Sequence, residues 1–208
     1  MKVGTDGVLL GAWTQISETV GSILDIGPGT GLIALQLAQR CDSEIIDALE
    51  IEPSAFEQAV ENFESSPWSD RLFCYHASLQ EFRVEIDDKY DLIVCNPPFY
   101  NNSFRAQGEQ RNLARQAEML DFEELLLGVA SLLTQHGTCA FIIPFDQEQI
   151  FTELGLQHGL HAFRITRVKG SPERPVKRSL IQMQRHKADI DISNLTIETS
   201  RHNYTQDY

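Results

Sequence analysis

Cysteine is scarce and scattered in this chain. Cys41, Cys74, Cys95 and Cys139 form no C-x-x-C pair, which argues against a zinc site and a disulfide framework and leaves four small buried residues. His76, His136, His158, His161, His186 and His202 show no i, i+4 pairing with acids suited to a metal, so no metal is expected. There is no Ser-His-Asp pattern and no phosphate-binding P-loop. Trp13 and Trp68, the only tryptophans, read as packing residues. No apolar run is long enough to span a membrane, and the N-terminus lacks the charged-then-apolar pattern of a secretory leader. A cytoplasmic protein is expected. Repeats and low-complexity tracts are absent too, and no linker precedes the tail. One domain is expected over 1–208, with an N-terminal segment at 1–20, a core at 21–187 and a tail at 188–208.

Positive charge is also in short supply. Seventeen Lys and Arg face thirty Asp and Glu, for a net charge of -13. The total argues against a nucleic-acid partner, but the distribution matters more. Residues 164–187 hold Arg164, Arg167, Lys169, Arg174, Lys177, Arg178, Arg185 and Lys187 against the single acid Glu173. Residues 105–115 add Arg105, Arg111 and Arg115 against Glu109. These runs suit either a phosphate-binding face or a solvated surface on an acidic protein.

What is present is a regular alternation. Strands are predicted at 22–26, 45–49, 72–75, 90–95 and 139–143, from short apolar or β-branched runs that end in glycine, proline or acids. Helices are predicted over 32–40, from Pro53 to about Ser65, from a cap at Asp121 to about Leu133, and over 146–156. Residues 99–117 read as a polar loop with partial helix. The segments 161–169 and 179–185 alternate like an antiparallel pair around a Pro-rich basic loop. Strands separated by helices imply a parallel sheet covered on both faces, with its ligand crevice at the C-terminal ends of the first and fourth strands, where strand order reverses.

Two unusual turns fall at that crevice. "ILDIGPGTG" places Asp25, Gly27, Gly29 and Gly31 in the first strand-to-helix turn, where glycine lets a ligand approach bare backbone. The spacing is G-x-G-x-G, not the G-x-G-x-x-G of dinucleotide binders, which disfavours a nicotinamide oxidoreductase. Glu50, at the end of the second strand in "DALEIEP", stands where an acid can accept hydrogen bonds from ribose hydroxyls; a solvated strand end is the alternative for Glu50 and Glu52. Together "LDIGPGTG" and "LEIEP" resemble the S-adenosylmethionine site of class I methyltransferases. The resemblance implies a Rossmann-like α/β fold with a seven-stranded, mostly parallel sheet ending in an antiparallel hairpin. In that family an acid near the cofactor adenine often follows the third strand. Ala77-Ser78-Leu79 stands here, and Ser78 is the nearest candidate.

The second turn is Asn96-Pro97-Pro98-Phe99, which closes the apolar run of the fourth strand. A planar NH₂ group is a poor nucleophile because its lone pair is delocalised. Two rigid acceptors gripping both N–H bonds can draw the nitrogen toward a tetrahedral shape. The Asn96 side-chain oxygen and the Pro97 carbonyl can do this, the two prolines hold them in place, and Phe99 can stack on a flipped base at about 1–3 kcal/mol. Asn96 is counted with the cofactor-facing residues as well. N-P-P-F/Y resembles the signature of amino-group methyltransferases, whose substrates include protein glutamine, the guanine N2 of ribosomal RNA and adenine N6.

The flanks narrow the choice. "MKVGTDGVLLGAW", "NPPFYNNSFRAQGEQRNLAR", "RPVKRSL" and "YTQDY" resemble the bacterial tRNA(Val) adenine-N6 methyltransferases, which act in the anticodon loop. The resemblance implies tRNA as partner and places Thr5 and Asp6 near the methionine end of the cofactor; a capping or turn pair is the alternative for these two. In that family further residues precede the counterpart of Met1-Lys2-Val3-Gly4 and a short extension follows that of "YTQDY", so a chain shorter at both ends is implied. A monomer is expected. The competing readings are a protein glutamine-N5 or ribosomal guanine-N2 methyltransferase, and a non-catalytic RNA-binding module on the same fold.

Overall fold

The structure, a computed structural model, describes residues 4–98, 122–200 and 202–208. The first half is built from α1 (Thr5–Trp13), β1 (Ser22–Ile26), α2 (Leu32–Arg40), β2 (Ile45–Leu49), α3 (Pro53–Glu64), β3 (Leu72–Tyr75), α4 (Leu79–Glu85) and β4 (Tyr90–Cys95). A helix α5 over 122–132 leads into β5 (Leu133–Pro144). A 3₁₀ turn (Phe145–Gln147) and α6 (Glu148–Gln157) follow, then β6 (His161–Lys169), β7 (Arg178–Gln184), β8 (Asp191–Thr196) and a small hairpin of β9 (Glu198–Ser200) with β10 (Asn203–Tyr204). The first four strands occupy the expected residues. Asp121, Phe99 and the loop expected at 99–117 lie outside the described residues.

The main sheet runs β3-β2-β1-β4-β5-β7-β6-β8, with β7 antiparallel to both neighbours and every other pairing parallel. The strand order reverses between β1 and β4, as the crevice argument requires. One correction concerns strand number: among the described residues the sheet has eight strands where seven are implied by the resemblance. The eighth, β8, comes from the segment read as a tail and pairs with β6 from Arg164↔Asp191 to Lys169↔Thr196.

Side-chain alternation sends residues to both faces. Leu92 and Val94 of β4 join a core with α1, α2 and α3, whereas Ile93 and Cys95 join the core beneath α4, α5 and α6. Helix α1 lies close on α2, with Gly11 against Gln36, and Arg40 donates from α2 to the carbonyls of Gly11 and Thr14 at the end of α1. Trp13 is a packing residue: its indole N–H donates to Thr166 Oγ1 at 2.8 Å and the Arg164 guanidinium lies 4.3 Å from its ring centre. Trp68 packs, partly buried, on the α2 side of the core.

Gly31 ends the glycine turn with φ +80°, and a Cβ there would lie 2.4 Å from Cε1 of the buried Phe63 on α3. Both the left-handed backbone and the space exclude a side chain. Gly31→Ala is therefore expected to lower unfolding free energy by about 2–4 kcal/mol. Urea denaturation measures this, and a change within ~0.5 kcal/mol would contradict the packing described.

Candidate active site

Register brings the two unusual turns together. Ile26 of β1 pairs with Leu49 of β2 on one side and with Cys95 of β4 on the other. The next residues, Glu50, Gly27 and Asn96, therefore stand side by side at three adjacent strand ends. Neighbouring strands are ~4.8 Å apart, so the outer two lie about 10 Å from each other across the glycine turn. Tyr75 of β3 pairs with Leu49, which puts His76 at the same level.

The glycine turn is held from below and from the side. Gly27 N–H donates to Leu49 O at 2.9 Å, and Gly31 N–H closes the turn onto Pro28 O at 2.9 Å. The Glu50 carboxylate is buried, accepting from Gly29 N–H through Oε2 at 3.0 Å and from Ile51 and Glu52 N–H through Oε1 at 2.9 and 3.0 Å. Glu50 is thus no solvated strand end. Glu52, by contrast, is the N-cap of α3: its carboxylate accepts from Ser54 and Ala55 N–H ahead of Pro53 at the first helical position. A Cβ at Gly27 would meet nothing within 4 Å, so this face of the turn is open. Ile51 beside Glu50 is 68 % exposed, a large apolar side chain at the crevice mouth that the sequence reading overlooks.

Asp25 lies beneath the turn with no solvent exposure. Its Oδ2 accepts from Ala34 N–H at 3.1 Å in the first turn of α2, while Oδ1 has no partner. Burial pushes this carboxyl up to about 7; the Ala34 N–H pulls the other way and the charge of Glu50 adds a further push. A carboxyl whose folded value exceeds its unfolded one binds a proton on folding. Its contribution is fully present below about pH 4 and is lost as pH rises toward 7. Asp25→Asn is therefore expected to gain stability relative to wild type as pH rises across that window. Chemical denaturation at several pH values measures the difference, and parallel profiles for the two proteins would contradict this burial.

Asn96 is half-buried and Pro97 buried, with Pro98 exposed. No described residue hydrogen-bonds the Asn96 side chain. Ser78 follows β3 as expected, but its hydroxyl is engaged in a capping box: it accepts from Glu81 N–H at 3.2 Å and donates to Glu81 Oε2 at 2.7 Å, starting α4. Thr5 and Asp6 open α1. Asp6 pairs with Arg178 at 2.8 Å, tying the helix to the start of β7 beside the end of β5.

The basic run at 164–187 divides in two. Arg164 donates to Trp13 O, Arg167 clasps Glu148 with Nε and a terminal nitrogen, Arg178 holds Asp6, and Arg185 donates to the carbonyls of Ala130, Leu133 and Thr134. Against the cost of burial, the bonds from Arg167 and Ser179 hold Glu148 below the usual carboxylate range. Four of the eight cations thus serve the fold, so neither a phosphate face nor a solvated surface describes the whole run. Lys169, Arg174 and Lys177 sit on or beside the β6–β7 turn. Arg105, Arg111 and Arg115 lie outside the described residues. Among the described residues no group of His, Cys, Asp or Glu could hold a metal ion, and no helix is long and apolar enough to cross a membrane.

Comparison with known proteins shows the family. Residues 6–131 fit the model of the methyltransferase small domain. A tRNA1(Val) (adenine(37)-N6)-methyltransferase from Flavobacterium psychrophilum is 55% identical over 208 residues, covering 100% of this chain and 89% of that protein. One of the same name from Bacteroides fragilis is 45% identical, covering 100% of this chain and 87% of its own length. In shape the chain resembles a predicted O-methyltransferase from Agrobacterium tumefaciens, with TM-score 0.72 and 18% identity over 97% of this chain and 92% of that one, a likeness of fold alone. The G-x-G-x-G turn, the buried acid beside it and the level Asn-Pro-Pro are thus found in a chain that belongs to the methyltransferase small-domain family and, within it, to the bacterial tRNA1(Val) (adenine(37)-N6)-methyltransferases.

Proposed function

We propose that this protein transfers a methyl group from S-adenosylmethionine to the N6 amine of adenine 37 in the anticodon loop of a valine tRNA. The observation that carries the proposal is the register that aligns Glu50, Gly27 and Asn96 at adjacent strand ends. S-adenosylmethionine, when bound, supplies a methyl group on a positively charged sulfur. The residues present fit such a ligand. Gly27 leaves space for it, Glu50 offers a buried carboxylate, Ile51 an exposed apolar side chain, and Asp25 a buried oxygen without a partner. In this reading Glu50 accepts from the ribose hydroxyls and Ile51 packs on the adenine ring, with Ser78 bounding that end from the loop after β3. The backbone of Gly27, Gly29 and Gly31 lines the middle, and Thr5 and Asp6 approach the methionine end.

On the substrate side, the Asn96 side-chain oxygen and the Pro97 carbonyl accept the two N–H bonds of the amine. The grip draws the nitrogen out of plane and turns its lone pair toward the methyl group. Fixed acceptors need no reorganisation during the reaction, and the buried Pro97 keeps them so. Phe99 is assigned the stacking ring from sequence alone.

Labelled methyl transfer tests the proposal with three substrates: the unmodified valine tRNA transcript, the same transcript with guanine at position 37, and a release-factor peptide carrying the glutamine target. Transfer to the first alone is expected. Transfer to the peptide, or equal transfer to both transcripts, would overturn it.

A further inference from the structure

A concave surface lies at the same end of the sheet as Gly27 and Asn96, beyond β7. The β6–β7 turn is tied to the C-terminal hairpin by Ile197 N–H to Lys169 O and Glu198 N–H to Gly170 O, both at 3.0 Å, and Thr205 N–H returns to Ile197 O at 2.9 Å. Between them is an open groove of about 760 Å³. Ser171, Glu173 and Arg174 line one wall and Thr199, Tyr204 and Tyr208 the other, with Thr5 of α1 reaching its edge. The two tyrosine rings are 58 % and 43 % exposed for Tyr204 and Tyr208, and they stack with centroids 5.1 Å apart at 22°.

β6 and β8 run parallel to β4, so their ends, and this groove, face the same side as Asn96. Three strand spacings of ~4.8 Å separate β4 from β6, about 14 Å in all, a distance that a few nucleotides of one strand can cross.

We propose that this groove holds the unpaired loop nucleotides that flank the target adenine, with at least one base stacked on the Tyr204–Tyr208 pair. The inference rests on the tRNA reading above and adds to it the surface that positions the loop. Exposed parallel rings suit bases of any identity. Hydroxyls and carboxylates match ribose and the amino edges of bases. Arg174 lines the groove and Lys177 stands on the same turn, available to phosphates in a chain whose net charge is -13. Among the described residues Ile197 is the only aliphatic side chain lining this groove, which leaves the two tyrosine rings as its main apolar surface.

The test uses the full chain, the anticodon stem-loop RNA and steady-state methylation. Tyr204→Ala with Tyr208→Ala is expected to raise KM for RNA by about tenfold or more, in line with the ~1–3 kcal/mol of a stacked base. The kcat and the affinity for S-adenosylhomocysteine should stay within about twofold. The double Tyr→Phe variant should restore KM, and Arg174→Ala should weaken binding with a shallower salt dependence. An unchanged KM in the folded alanine variant overturns the groove, whatever else it then binds. Should that variant not fold, crosslinking of 4-thiouridine-substituted RNA to the wild-type protein decides. Attachment within residues 203–208 supports the proposal, and attachment only elsewhere refutes it. A wild-type protein that methylates no RNA would instead sink the tRNA reading itself.

Discussion

Asn96→Ala is expected to lower methyl transfer by about 100- to 1000-fold, the usual cost of removing one preorganised hydrogen-bonding group from a reacting centre. The side chain makes no hydrogen bond to any described residue and is only half-buried, so the loss should leave the thermal midpoint nearly unchanged. That separation is what gives the experiment its force. The affinity for S-adenosylhomocysteine should fall by less than about tenfold, because the glycine turn and Glu50 are untouched. Asn96→Asp, which retains an acceptor oxygen, should keep more activity than alanine. Single-turnover transfer to tRNA, read beside calorimetry, measures all of this. An alanine variant within a fewfold of wild type would remove Asn96 from the chemistry.

The second large effect is expected at Glu50. Its carboxylate joins two elements: the turn after β1, through Gly29 N–H, and the start of the β2–α3 loop, through Ile51 and Glu52 N–H. Alanine leaves three backbone donors short of an acceptor, each worth roughly 1–3 kcal/mol where water cannot reach it. Partial hydration lowers the sum, so a loss of about 2–4 kcal/mol is expected, or about 4–16 °C in Tm for a chain of this size. Cofactor affinity should drop by about 100-fold or more, since both the ribose acceptor and the shape of the turn are lost. Glu50→Gln should fall between, because its NH₂ end faces donors on one side or the other. Calorimetry with S-adenosylhomocysteine on protein shown to be folded measures the effect. Wild-type affinity in Glu50→Ala would mean that the cofactor is not bound at this turn.

The parts of the fold that were legible in sequence share a cause. β1 to β4 are buried central strands or their neighbours, short and apolar, and each is followed by glycine, an acid, a histidine or Asn-Pro. Their limits are therefore written in local composition. The edge strand β8 has no such mark. Its first four residues are exposed, and beyond backbone pairing it is joined to the fold only through side chains such as Ser193, bonded to Thr166 of β6, and the partly buried Leu195. α1 was obscured by Gly7 and Gly11, poor helix formers that serve here as close contacts with Leu32, Ile33 and Gln36 on α2. α4 did carry a signal, since Ser78-Leu79-Gln80-Glu81 has the S-x-x-E spacing of a capping box.

The site divides in the same way. Gly27, Glu50 and Asn96 were legible because each sits immediately past a strand, and the parallel register pairs the last residues of the three strands, which puts the next ones at one level. The basic run was not, because charge can be counted in sequence but partners cannot. Asp6 stands 172 residues from Arg178, and Trp13 stands 151 from Arg164. The groove beside the β6–β7 turn is of this kind too, assembled from Thr5, the turn and the last dozen residues.

The central claim is that Asn96 and Pro97 present two acceptors to an adenine amine at a cofactor cradle. Mass-spectrometric mapping of nucleosides after incubation with bulk unmodified tRNA and S-adenosylmethionine tests it most directly. The account predicts N6-methyladenosine at position 37 of the valine tRNA, and its absence with Asn96→Ala. N2-methylguanosine, or methylation of no nucleoside by a protein that binds the cofactor, would contradict it.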